Sequence, residues 1–308
     1  MAKLYLGVDG GQSTTTALIG DEAGRVVGFG RAGPCTSLEN IEQALAQAFD
    51  NSSIEAPGAA QFKSACFGLS GGAAGKEPLI RKLATAEHYL ITHDAWVALA
   101  GATAGAPGII VIAGTGSIAF GKNRDGRTAR AGGWGYMFGD EGGAFDIARQ
   151  ALRAALRQEE GWGPHTALRQ TLLDATGAPN ANVLLHLCYS GDLPRARVAA
   201  LAPLISQAAA GGEPAAQDIL KSAAQSLATL AAAVRGQLFR PDEAVLVSYC
   251  GGVFRSQGLH ERFRMLVELT DLNRAVPPRY GPAAGALLEA YRIAGVRREL
   301  TNIPDQES

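Results

Sequence analysis

The chain has 308 residues, of which 47% are hydrophobic, enough for a buried core and long enough for two domains. Charged residues make up 19% and the formal net charge is -1, so the charge balance points to neither nucleic acid nor an anionic membrane as a partner. Cys35, Cys66, Cys188 and Cys250 lie far apart, which argues against a zinc site, an iron–sulfur site or a disulfide framework. The N-terminus runs straight into an apolar segment, and no apolar run is long enough to span a membrane; a cytoplasmic location is the expectation.

In chain order, Leu4–Val8, Thr15–Ile19 and Arg25–Gly30 read as three strands joined by short turns, an antiparallel meander. Glu39–Phe49 has helical spacing, Lys63–Leu69 reads as a strand, Glu77–Ala86 as a helix, Tyr89–Thr92 as a short strand and Asp94–Ala104 as a helix. The order then restarts. Ile109–Ala113, Ile118–Lys122 and Arg127–Ala131 are strands, the last pair joined by a turn ending in Asp125-Gly126. Helices follow from about Asp140, and residues 181 to 239 are Ala-rich and almost wholly helical by pattern. Ala244–Tyr249 is a buried strand, followed by a helix at Gln257–Leu269, a short strand at Asp271–Ala275 and a helix at Pro282–Ala294. The same β-β-β-α-β-α-β-α order thus occurs twice, with a helical insert in the second copy. This predicts an α/β protein of two similar domains, residues 1–106 and 107–308, facing each other across a cleft; the last helix either stays with the second domain or packs back on the first.

Each copy opens with a strand, a glycine turn carrying hydroxyl side chains, and a second strand. Asp9-Gly10-Gly11-Gln12-Ser13-Thr14 can present successive backbone N–H groups to phosphate oxygens, and Asp9 could hold Mg²⁺ through water. Gly114-Thr115-Gly116-Ser117 is its counterpart. Each turn alone is equally well an ordinary hairpin; two at matching places favour a triphosphate. Neither is a Walker A loop, and neither leads into a helix as a dinucleotide fingerprint would. Asp94 follows a strand and opens a helix, so it is a candidate general base or a plain helix cap, with His93 as a rival base. Gly132-Gly133-Trp134-Gly135 leads to Gly139-Asp140-Glu141-Gly142, a glycine-rich loop able to approach a ligand closely, with Asp140 as a hydroxyl acceptor or another helix cap. Gly251-Gly252 after a buried strand either makes room for a flat ring or lets a helix pack closely.

Taken in order, these motifs, together with Thr92-His93-Asp94-Ala95 and Cys250-Gly251-Gly252-Val253, resemble the N-acetylglucosamine kinase branch of the BadF/BadG/BcrA/BcrD ATPase family, within the actin–hexokinase–Hsp70 superfamily. The resemblance implies two ribonuclease-H-like (actin-like ATPase) domains around a central cleft, and ATP with Mg²⁺ as cofactors. It implies that Asp94 is the base acting on a sugar 6-hydroxyl. It implies phosphate contacts from Ser13 and Thr115 and adenine contacts near Gly212 and Gly251-Gly252, and sugar contacts from Ser117, Gly133 and Asp140. The partner it implies is a small-molecule amino sugar, N-acetylglucosamine first and glucosamine second. Two positions depart from the branch. Ile118 stands where an Asn is expected, and Gly33-Pro34-Cys35-Thr36-Ser37 has no Asn where another is expected, so Ile118, Thr36 and Ser37 bear on specificity. The same family contains ATPase activators of 2-hydroxyacyl-CoA dehydratases and benzoyl-CoA reductase, which hold an iron–sulfur cluster through cysteines that have no convincing pair here. The Ala-rich helices between 181 and 239 either form a homodimer face or bury against their own sheet.

Overall fold

The computed structural model describes residues 3–35, 37–52, 61–72, 75–270, 272–305 and 307. The chain divides into two compact units, residues 1–108 with 277–308 and residues 109–276. Residues 277–308 thus go with the first unit, the second of the two placements the sequence leaves open for the last helix.

The first unit contains β1 (Leu4–Gly10), β2 (Thr15–Gly20), β3 (Val26–Ala32), α1 (Leu38–Asp50), β4 (Gln61–Leu69), α2 (Glu77–Leu83), β5 (Thr85–His93) and α3 (Asp94–Ala102). Its sheet order is β3-β2-β1-β4-β5, with β1–β2 and β2–β3 antiparallel and β1–β4 and β4–β5 parallel. Alternation along β1 sends Leu4, Leu6 and Val8 into a core with Ile41, Ala44 and Ala48 of α1. Tyr5 goes to the opposite face. The helix expected over Glu77–Ala86 stops at Leu83, because Thr85 and Ala86 pair with Gln61 and Phe62 at the sheet edge. The polar run Thr85–His88 carries no strand signal because an edge strand need not alternate with a buried face.

The second unit contains β6 (Gly108–Ala113), β7 (Ser117–Lys122), β8 (Thr128–Gly132), α4 (Ala144–Glu159), α5 (Leu168–Thr176), α6 (Ala181–Ser190), α7 (Arg195–Ala199), α8 (Ala202–Ala210), α9 (Pro214–Leu238), β9 (Val245–Cys250), α10 (Gln257–Glu268) and β10 (Asn273–Val276). Asp271, the expected start of the last strand, lies outside the described residues. The sheet order β8-β7-β6-β9-β10 repeats that of the first unit element for element. Ala181, Leu184, Ala202, Ile205 and Ala216 of the insert join the core of their own unit, beside Ile109, Val111 and Val247. These residues of the Ala-rich helices bury within their own unit.

The C-terminal helix α11 (Pro282–Ile293) packs on the Tyr5 face of the first sheet, with Val97 of α3 in the same cluster. Only small residues allow it to sit there. A Cβ on Gly7 would lie 2.2 Å from Leu287 N, and one on Gly285 would lie 2.0 Å from Val97 O and 2.3 Å from Gly101 N. These neighbours are backbone atoms and cannot swing aside. Gly285→Ala gains roughly 1 kcal/mol of helix propensity, but overpacking a rigid site costs about 1–3 kcal/mol. We expect a net loss, read as a thermal midpoint lowered by a few degrees, whereas Gly236→Ala in α9, where a Cβ meets nothing within 4 Å, should be neutral or stabilising.

Candidate functional site

In the first unit, the β1–β2 turn is closed by Gly11 N–H donating to Thr14 O at 2.8 Å, and Gln12 and Ser13 are exposed at its tip. Gly10 is clamped: its carbonyl accepts from Ser70 N at 2.8 Å and from the Cys35 thiol at 3.0 Å. A Cβ there would lie 2.7 Å from both Cys35 Cβ and Leu69 Cδ2. Thus Gly10 answers to packing, while Gly11 to Thr14 form the open part of the turn.

Asp9 stands near the end of β1, opposite Thr16 of β2 and Gly68 of β4. Burial, then the Glu307 carboxyl, then Asp94 push its carboxyl well above the usual carboxylate range. Glu307 escaped the sequence reading. Its carboxylate accepts from Ala283 N at 2.9 Å and Ala284 N at 3.2 Å, capping α11, and burial raises its carboxyl too. The available signal was a helix start at Gly281-Pro282 without a local cap, and an acid in the tail. Like charges this close favour a divalent cation, so Asp9 fits Mg²⁺. Among the described residues no set of three or more ligating side chains surrounds one point.

Asp94 is the first residue of α3, directly after β5. It is not the helix cap. His93 is, its Nδ1 accepting from Trp96 N at 3.2 Å, while Asp94 Oδ1 accepts from its neighbour Ala95 N at 2.8 Å. Ser37 caps α1, its hydroxyl oxygen accepting from Glu39 N at 3.2 Å. Thr36 lies outside the described residues.

In the second unit, the Gly114–Ser117 turn is buttressed from below. Its carbonyls at Gly114 and Thr115 accept from Ala144 N at 2.8 Å and Phe145 N at 3.1 Å, so the turn itself caps α4. Helix begins at Ala144 and not near Asp140, because Asp140 holds a left-handed backbone with φ 62° and Gly143 is the cap residue. The buried Asp140 carboxylate lies against Gly116, whose Cβ, if present, would be 2.4 Å from Asp140 Oδ2. Ser117 N–H donates to Asp140 Oδ1 at 3.4 Å, and the Ser117 hydroxyl donates to Glu141 O at 2.7 Å. Arg195 of α7 closes the group with a 2.7 Å ion pair to Asp140 Oδ2, another partner the sequence reading missed. Gly133 has φ 72°, and a Cβ on it would lie 2.8 Å from Ile118 Cδ1. Ser117, Ile118, Gly133 and Asp140 therefore belong to one surface, made by β7, the end of β8 and the glycine loop.

Gly212 lies between α8 and α9 with φ 92° and open space beside it. Gly251 has φ 106°, and a Cβ would lie 2.3 Å from Ala113 O, whereas Gly252 faces open space. Close packing explains Gly251, and openness explains Gly252. A cavity of about 430 Å³ lies nearby, lined by Ala209, Ala210, Gln217, Lys221, Arg255 and Arg262 among others.

A sequence profile of the BadF/BadG/BcrA/BcrD ATPase family matches residues 6–290. The chain belongs to that family. It is 31% identical to an N-acetylmuramic acid/N-acetylglucosamine kinase of Clostridium acetobutylicum, over 87% of this chain and 91% of the relative. It is 29% identical to an N-acetyl-D-glucosamine kinase of Dictyostelium discoideum, over 83% and 87%. The crystal structure of a candidate N-acetylglucosamine kinase of Chromobacterium violaceum superposes with a TM-score of 0.76 at 26% identity, covering 93% of this chain and 98% of that one. The two-sheet α/β architecture is thus shared with that crystal structure. No helix among the described residues is long and apolar enough to cross a membrane.

The raised Asp9 carboxyl makes a testable statement about the fold. A group whose pKa is raised by folding stabilises the native state when protonated and loses that contribution as pH rises through the raised value. Above the ordinary carboxylate range the buried Asp9 is therefore a cost that Asp9→Asn removes. Without ligands, Asp9→Asn should melt above the parent at about pH 8, and the gap should shrink towards about pH 4 as Asp9 takes up its proton. A gap that does not change with pH would remove the electrostatic account.

Proposed function

We propose that the protein is an ATP-dependent kinase that transfers the γ-phosphoryl group to the 6-hydroxyl of an amino sugar, with N-acetylglucosamine as its substrate. The observation that carries the reading is Asp94, a carboxylate at the carboxyl end of a parallel strand whose expected capping duty is performed by His93. The names of the two curated relatives support the substrate class.

The residues divide the work. Ser13 and the amides of the exposed turn, with Thr115 and Gly116 in the other unit, are assigned to the phosphates, and the cavity beside Gly212 and Gly252 to the nucleotide base. Asp9 is assigned to Mg²⁺, which when bound would neutralise charge on the phosphates. Asp140 and the Gly133 backbone are assigned to the sugar. The Asp94 carboxylate accepts the proton of the 6-hydroxyl as its oxygen bonds to phosphorus. The bond from the γ-phosphorus to the bridging oxygen breaks, and ADP leaves with that oxygen. General base catalysis of this kind is worth roughly 10²–10⁴-fold.

Ile118 supports glucosamine as the second reading. Its side chain faces Gly133 and offers no hydrogen-bonding group where the kinase branch is expected to have an Asn.

The test is ADP release from ATP–Mg²⁺ with N-acetylglucosamine, N-acetylmuramic acid, glucosamine, glucose or no sugar. Release dependent on an N-acetylated sugar supports the reading, equal or better use of glucosamine moves it to the second, and slow release indifferent to every sugar rejects both. Asp94→Asn should lower turnover by about 10²-fold or more while retaining ATP binding measured by calorimetry. Turnover near that of the parent would remove Asp94 from the role of base.

A further inference from the structure

The buried carboxylate of Asp140 has a partner that its own loop does not supply. Arg195 is the first residue of α7, in the helical insert, and its Nη2 lies 2.7 Å from Asp140 Oδ2. Its guanidinium carbon is 5.1 Å from the Tyr136 ring centroid and 5.9 Å from that of Phe145, and the two rings meet edge to face at 5.3 Å. Both aromatics flank Asp140 in sequence. This is not a loose surface pair. The Asp140 side chain is only 7% exposed, and its carboxylate and the two rings together hold the Arg195 guanidinium. The planar fork and the aromatic contacts suit Arg and not Lys.

Asp140 holds a φ of 62°, which non-glycine residues seldom adopt, and its carboxylate touches the Gly116 backbone. Its two oxygens are differently engaged, Oδ1 by Ser117 N and Oδ2 by Arg195. Four acceptor directions on a carboxylate leave room for a further donor once the rotamer is fixed. We infer that Arg195 is a positioning residue for the sugar: it locks the Asp140 carboxylate so that its remaining acceptor direction meets a substrate hydroxyl. The inference rests on the proposed assignment of Asp140 to the sugar. It gives the insert a part in the reaction, through a residue 55 positions along the chain from the carboxylate it orients.

The experiment measures kcat and KM for sugar and for ATP in Arg195→Ala, Arg195→Lys, Asp140→Asn and the Arg195→Ala/Asp140→Asn double variant, with thermal midpoints for each. Arg195→Ala should lose on the order of 10²-fold in kcat/KM for the sugar, with KM for ATP within about twofold of the parent. Arg195→Lys should recover only part of that loss. Added guanidinium ion, kept well below denaturing concentration, should restore Arg195→Ala but not Asp140→Asn. The double variant should be no worse than Asp140→Asn alone, because both substitutions disable one unit. A lowered midpoint in Arg195→Ala with sugar kcat/KM within about twofold of the parent would make Arg195 a structural staple and overturn the inference. If Asp140→Asn itself keeps parental sugar kinetics, the assignment of Asp140 fails and the inference falls with it. Should Arg195→Ala not fold, Arg195→Lys against Arg195→Met carries the same comparison.

Discussion

Much of the second unit is arranged around one close approach, the carboxylate of Asp140 against the backbone of Gly116. No residue other than glycine leaves space for it at position 116, and the contact holds Asp140 in a left-handed conformation. That conformation turns the chain so that α4 starts at Ala144 and not earlier. The first amides of α4 then meet the carbonyls of Gly114 and Thr115, which caps the helix without a capping side chain. Ser117, the next residue of the turn, is drawn in through both its amide and its hydroxyl. Strand, turn, loop and helix are thus tied at one point, and the ion pair to Arg195 adds the insert. A single added methyl at residue 116 would disturb this knot, so packing accounts for Gly116, whereas a Cβ on Gly114 would meet nothing within 4 Å.

The strands and their order were legible because apolar, β-branched runs such as Ile109–Ala113 end in glycine turns. The duplication was legible from element order alone. What could not be read lies at longer range. Helix α11 packs on β1 through small residues together with Leu287 and Tyr291, an apolar face that would suit either unit, so the sequence left its placement open between the two. Arg195 sits in an Ala- and Arg-containing stretch that looks like any solvated helix, and only the folded chain joins it to Asp140. The candidate site was legible where motif and backbone geometry coincide, as at Gly133 and Gly251, both with positive φ. It was less so at Asp94 and Ser37, where a carboxylate and a hydroxyl beside a helix start look alike. The structure separates them: Ser37 caps its helix and Asp94 does not.

In the first unit the dominant effect is electrostatic. Asp9, Asp94 and Glu307 are close enough for the latter two to raise Asp9, yet the sequence places no Lys or Arg beside Asp9 or Asp94 in the chain. Glu307 is partly compensated by two amides of α11. A fold selected for stability alone would neutralise Asp9 or exchange it for an amide. Arg31, which lies opposite Thr16 as Asp9 does, also offsets Glu307, so the cluster is only partly compensated and burial leaves Asp9 the costly member.

The two glycine turns look alike in sequence but are not equivalent. The first has a clamped base at Gly10 and an exposed tip at Gln12-Ser13, so its outer groups remain available. The second has its carbonyls committed to α4 and its serine committed to Glu141. Its available groups are those on the side facing away from the helix, of which Thr115 is the half-buried hydroxyl. Duplication therefore preserved the strand order while the surroundings of each turn diverged. The first turn is thus a solvent-exposed tip, and the second is a ledge whose carbonyls, serine and Gly116 contact are already engaged within its own unit.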